Sequence, residues 1–132
     1  MMNVSFACTR LLVQDWKACF LFYKDILGFD VTMEDEQGGY AEFKIAEMKL
    51  ELFRRQEMAQ IISNSHKPIH AECQDPVVLI FTVHDLDEEC QKLKQQGVDF
   101  VTKPTSNPYY SIKTAYFRDP DENLIGLFQL LA

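Results

Sequence analysis

The second half of this sequence repeats the first, and a chain that does so is expected to build one structural unit twice. Val13-Gln14-Asp15 corresponds to Val83-His84-Asp85, each ending an apolar strand and opening a helix. Leu27-Gly28-Phe29-Asp30-Val31 corresponds to Gln96-Gly97-Val98-Asp99-Phe100, where a helix closes on glycine and a strand begins. Leu50-Glu51-Leu52-Phe53 corresponds to Ile125-Gly126-Leu127-Phe128 as the last strand of each half. The offsets agree to within about five residues, with the slack in loops. Asp15 and Asp85 suit N-caps, because a short carboxylate accepts the free N–H groups of a first turn; Glu88 completes a capping box. One helix stripe carries Trp16, Cys19, Phe20, Tyr23 and Leu27, and the other Leu86, Cys90 and Leu93. Gly28 and Gly97 supply the left-handed residue that closes each helix. Each half therefore reads strand, helix, strand, strand, strand, an α+β arrangement of two tandem βαβββ modules. Module one covers about residues 1–54 and module two about 77–132. A linker of about 55–76 holds a short helix with Met58, Ile61 and Ile62.

Strand parity separates two faces, because successive side chains alternate sides. Leu11, Val13, Leu50, Leu52, Leu79, Phe81, Val83, Ile125 and Leu127 form an apolar set that belongs beneath the helices. The opposite set mixes charged, small and aromatic residues: Phe6, Cys8, Arg10, Leu12, Lys49, Glu51, Phe53, Val78, Ile80, Thr82, Leu124, Gly126 and Phe128. That mixture suits a cavity wall, and a concave sheet with such a wall is a binding cleft by default. The strand within residues 77–83 is apolar on both faces, which predicts that its second face is covered as well.

The 132 residues suffice for one domain, or for two small halves sharing a core. Apolar residues make up 47%, enough for a sizeable interior and too many for a disordered chain. A net charge of −7 disfavours nucleic acid and anionic membranes, which need a basic face. The longest apolar run, residues 77–83, is too short to span a bilayer. No basic leader precedes an apolar stretch, so a cytoplasmic location is expected. Cys8, Cys19, Cys73 and Cys90 lack any C-x-x-C spacing. They are expected to stay reduced, with Cys19 and Cys90 packed as small hydrophobes.

The opening V-x-D, the Phe22-Tyr23 pair and Leu27-Gly28-Phe29 resemble the first half of the vicinal oxygen chelate superfamily of glyoxalases, bleomycin-resistance proteins and extradiol dioxygenases. Phe117-Arg118-Asp119-Pro120-Asp121-Glu122-Asn123-Leu124-Ile125 resembles its closing F-x-D-P-x-G-N-x-I, and residues 110–115 stand where many relatives have a W-G-x-R-like stretch. The resemblance implies a single domain over 1–132, eight strands curled around one cleft, and a homodimer. It also carries four metal-ligand positions onto Cys8, Glu51, Val78 and Gly126, and the repeat pairs Cys8 with Val78 and Glu51 with Gly126. Only Glu51 is a typical oxygen ligand; a thiol matches hard or borderline divalent ions poorly, and valine and glycine donate nothing. No metal and no other cofactor is therefore expected. Replacing Cys8 and Val78 by histidine and Gly126 by glutamate is expected to restore metal affinity. Glu122 takes the family's glycine position; if that residue needs positive φ, glutamate costs about 1 kcal/mol or more.

The expected ligand-binding cavity comprises Cys8, Arg10, Glu51, Phe53, Val78, Ile80, Tyr110, Gly126 and Phe128. Arg10 and Glu51 either orient a polar ligand or form an internal ion pair. Glu51 is the one weak candidate for a catalytic group, as a general base, which would require a raised pKa. Tyr109 and Tyr110 sit in a Pro-flanked loop placed at the cleft mouth. Trp16 is read as core or dimer contact. His66, His70 and Cys73 are spaced H-x3-H-x2-C, but Pro68 breaks a chelating helix, so a linker loop is expected. His84, at a strand-to-helix junction, is expected to be exposed. No Ser-His-Asp arrangement or phosphate loop is present. The function expected is metal-free binding or sequestration of a small organic molecule, and catalysis is not expected. The alternative is a glyoxalase-type lyase or isomerase, metal-independent or with a diverged metal site.

Overall fold

The computed structural model describes residues 2–3, 5–68 and 74–131, and the chain divides into two compact units, Met1–Glu72 and Cys73–Ala132. In the first unit the elements run β1 (Thr9–Val13), α1 (Trp16–Leu21), β2 (Asp30–Asp35), β3 (Tyr40–Ile45), β4 (Met48–Arg54) and α2 (Arg55–Ile61). In the second they run β5 (Val78–Thr82), α3 (Leu86–Gln95), β6 (Thr105–Asn107), β7 (Ile112–Arg118) and β8 (Leu124–Leu130). Each unit holds one four-stranded sheet, ordered β1-β4-β3-β2 in the first and β5-β8-β7-β6 in the second. The order is the same because each helix returns the chain so that the first strand pairs parallel with the last, Arg10 opposite Glu51 and Ile80 opposite Gly126.

The helix ends follow from their residues. The carboxylates of Asp15 and Asp85 accept from the N–H groups of Ala18 and Glu88 at 3.1 Å each, and Gly28 and Gly97 take φ of +72° and +89°. Trp16, Cys19, Phe20 and Tyr23 are buried, Trp16 stacking on Phe20 at 5.0 Å. The predicted stripe is nevertheless incomplete. After Leu21 the helix widens into a π turn, Phe22–Ile26, with the Leu27 N–H reaching back to the Phe22 carbonyl. A π turn inserts one residue per turn and rotates the residues after it around the helix axis. Phe22 therefore joins the core and Leu27 is only half-buried. Cys19 and Cys90 are buried free thiols, as expected of small hydrophobes.

The apolar strand set lies inward: Val13, Leu50, Leu52 and Ile125 are buried, with α1 packed on β4 and α3 on β7 and β8. Three expectations need correction. β1 begins at Thr9, opposite Leu50, so Cys8 lies just before it and Phe6 is exposed. The strand expected at Val98–Phe100 is a single bridge from Phe100 to Phe117; the N–H groups of Val101 and Thr102 then both reach the Tyr116 carbonyl, a bulge-like irregularity, and regular pairing resumes at Thr105, just after Pro104, which has no N–H to donate. Finally, Ile80 is 48% exposed, so at that position the outer face of β5 is not covered by the described residues, although Val78 on the same face is half-buried.

The turn between β7 and β8 keeps the backbone that glycine would favour: Glu122 has φ +70°. Glu122→Gly is therefore expected to raise stability by about 1 kcal/mol, read as a shift of the urea midpoint at unchanged slope. His84 is exposed, and so is His66, in a turn. His70 and Cys73 lie outside the described residues. No helix among the described residues is long and apolar enough to cross a membrane.

Candidate functional site

The pairing of β1, β4 and β3 sets Arg10, Glu51 and Glu42 in one row across the outer face of the first sheet, and Leu12, Phe53 and Tyr40 in the next. The row closes into a network. Arg10 Nε donates to Glu51 Oε1 at 2.7 Å, Tyr40 Oη lies 2.9 Å from Glu51 Oε2, and Lys49 Nζ stands 3.2 Å from that same oxygen. The single Tyr40 hydroxyl proton is shared between Glu42, the nearer acceptor, and Glu51, and Glu42 Oε1 also receives Lys49 Nζ at 3.0 Å. Arg10 lies 5.1 Å from the centre of the Phe53 ring and 6.0 Å from that of Tyr40. Strand parity thus brings Arg10, Glu51 and Phe53 together, and Cys8 adds its thiol to Glu51.

Burial alone would raise the Glu51 carboxyl, whose side chain is only 5% exposed. Hydrogen bonds from Arg10, Tyr40, Lys49 and Cys8 outweigh that penalty and hold it down at about 2. Burial, then the bonds to Glu42 and Glu51, push the Tyr40 hydroxyl well above its ordinary value, so it stays a donor. Burial and the bond to Glu51 likewise raise the Cys8 thiol. A carboxylate so stabilised is a weak proton acceptor, the opposite of what a general base at neutral pH requires.

The second sheet repeats the register but not the chemistry. Ile80 stands where Arg10 does, Gly126 where Glu51 does, Tyr116 where Glu42 does and Phe128 where Phe53 does. Gly126 is glycine for a steric reason: a Cβ there would lie 2.9 Å from the Tyr116 ring, which meets Phe128 edge-on. The ring fills the space that a glutamate at 126 would need, so restoring a metal ligand there first requires removing Tyr116. Gly126→Ala is expected to lower stability by about 1–3 kcal/mol through overpacking. In a Tyr116→Ala background it should be nearly neutral, a double-mutant cycle that isolates the contact. Tyr110 belongs to the β6–β7 hairpin loop, six residues before Tyr116, and is exposed with its ring against Tyr109. It precedes Ile112, which pairs with Leu130, whereas Gly126 pairs with Tyr116.

Tyr40, Glu42, Met58 and Tyr116 belong to these clusters and were missed by sequence reasoning. Alternation in Tyr40-Ala41-Glu42-Phe43 was the available signal, since buried Ala41 and Phe43 force Tyr40 and Glu42 outward. The structure also shows a groove of about 440 Å³ in the first unit, whose apolar lining is Leu12, Met58, Ala59, Ile62 and Pro68. It adjoins the Arg10 cluster through Met58, whose sulfur lies 3.8 Å from Arg10 Nη1.

The metal positions do not fit an ion. Cys8 and Glu51 are bonded to the protein's own groups, Val78 has no donor, and Gly126 lies under a tyrosine ring.

Two βαβββ modules of one strand order and one register define an α+β protein of the paired-module class. The chain belongs to the Glyoxalase/Bleomycin resistance protein/Dioxygenase superfamily, whose family model matches residues 5–127. A protein of Bacillus subtilis (strain 168), described as "Uncharacterized protein YraH", is 38% identical over 122 residues, 92% of this chain and 95% of that one. A glyoxalase/bleomycin resistance protein/dioxygenase from Nocardioides shares the fold with a TM-score of 0.80 at 19% identity, covering 99% of this chain and 86% of that one. TnmS3, an antibiotic binding protein from Streptomyces sp. CB03234, does so with a TM-score of 0.71 at 24% identity, covering 98% and 99%.

Proposed function

We propose that this chain is a cytoplasmic, metal-free small-molecule binding or sequestering protein that works as a homodimer. The saturation of Glu51 carries the reading. The one conventional metal ligand of the family's set that this sequence retains is already committed to Arg10, Lys49 and Cys8 and shares the Tyr40 proton with Glu42, which leaves it no appreciable proton affinity. What remains at this face is an oriented cation, aromatic edges and an adjoining groove, elements that recognise a ligand without transforming it. TnmS3, described as antibiotic binding, provides the analogy, and Leu12 and Ile80, exposed on the outer sheet faces, favour a second copy.

The test is a thermal-shift screen of the purified chain against metabolites and antibiotics, with metal analysis and light scattering on the same sample. Binding stabilises in proportion to ln(1 + [L]/Kd), so a hit at a hundred times Kd adds about 2.7 kcal/mol. Stoichiometric nickel, zinc, manganese or iron would overturn the metal-free reading, turnover of a hit would overturn the binder, and a monomer mass would overturn the dimer.

A further inference from the structure

We infer that the groove beside α2 is a binding site for a small amphiphilic acid, its apolar body held between α2 and residues 64–68 and its carboxylate drawn to the groove's cations and Arg10. The inference rests on the small-molecule reading and names the place and the ligand class.

Charge is the first observation. The chain carries a net charge of −7, yet the residues lining the groove include Arg55 and Lys67 and no aspartate or glutamate. Among the described residues no acidic side chain lines this space; Arg55 is held on the Leu12 carbonyl at 3.0 Å, and Lys67 is exposed. Hydrogen-bond capacity is the second. Arg10 uses Nε on Glu51, and the partner of its outer nitrogens among the described residues is the Met58 thioether, a weak acceptor at 3.8 Å. A guanidinium carries five N–H donors, and its outer pair forms a fork that matches a carboxylate. Both carboxylates of the cluster, by contrast, already accept from protein donors, so the site offers donors rather than acceptors.

Position is the third. The Glu51 bond and the Phe53 ring fix the orientation of Arg10, while Met58 and Leu12 each belong to the groove and border the Arg10 cluster. An acid whose apolar part lies on Met58, Ala59 and Ile62 would therefore bring its carboxylate near cations that are already held, with little ordering cost. Such a groove discriminates by charge: a neutral isostere keeps the apolar contact and loses the fork, and an ammonium meets Arg55 and Lys67.

The test titrates the full chain with 2-naphthoate, 2-naphthylmethanol and 2-naphthylmethylammonium by calorimetry. Naphthoate is expected to bind at least tenfold tighter than the alcohol, with the ammonium weakest. Lys67→Gln, at an exposed position, should narrow the preference, and Ile62→Glu, also exposed, should abolish naphthoate binding by placing a carboxylate in the groove. Arg10→Gln should narrow it further, but it also unpairs Glu51, so the two exposed variants carry the test. Equal affinity for acid and alcohol, a tighter ammonium, no binding of any probe, or naphthoate binding unchanged by Ile62→Glu would each overturn the inference. A hit from the thermal-shift screen that survives Ile62→Glu would leave the small-molecule function standing and remove only this site.

Discussion

Glu51→Gln is expected to lower the stability of this chain by about 2–3 kcal/mol at neutral pH. The amide keeps the shape and one acceptor for Arg10, but its NH2 then faces Lys49 Nζ, a donor that had bonded a carboxylate oxygen, while Tyr40 Oη turns its proton to Glu42 and accepts from the amide. The loss stays below that of a fully buried ion pair because Arg10 and Lys49 are about two-fifths exposed and can turn to water. Its pH dependence is diagnostic. The folded carboxyl sits at about 2 against an ordinary 4.5. Its contribution is therefore complete above that ordinary value and is lost as pH falls from there toward 2. Urea unfolding across that range should show the wild type losing its advantage over the variant, so that the two curves converge in acid. Parallel curves at every pH would show that the carboxylate is not held as described.

Asp119→Ala is expected to remove about 3 kcal/mol, lowering the melting temperature by roughly 10 °C. Asp119 is 3% exposed, and its carboxylate organises the β7–β8 turn. Oδ1 accepts the backbone N–H groups of Asp121 and Asn123 at 2.9 Å each, and Oδ2 accepts Asn123 Nδ2 at 2.8 Å. Alanine leaves all three donors without that acceptor inside a turn whose backbone is already strained at Glu122. Asp119→Asn retains an acceptor for the two backbone groups and loses the contact with Asn123 Nδ2, so about 1 kcal/mol is expected. Thermal unfolding of the two variants side by side measures the difference. Equal losses would mean that the Asn123 side-chain contact, rather than the backbone bonds, holds the turn.

The strand order of each unit could be read from the repeat, because matched capping aspartates, closing glycines and apolar strands leave few ways to arrange five elements twice. Parity was equally legible along β1, β4 and β8, where Leu11, Leu52 and Ile125 must be inward if Arg10, Glu51 and Gly126 are outward. The sequence also contained the reason a metal centre does not fit, since valine and glycine have no donor whatever surrounds them. It could not contain the state of Glu51. Whether a strand carboxylate is a base, a ligand or a saturated anchor depends on which groups other strands bring to it. Tyr40, Lys49 and Arg10 reach it only through the β3–β4–β1 register. Only tertiary structure showed that Gly126 is glycine because a tyrosine ring lies over it, and that the groove borders α2. Both depend on distances between residues remote in sequence, which local periodicity does not encode.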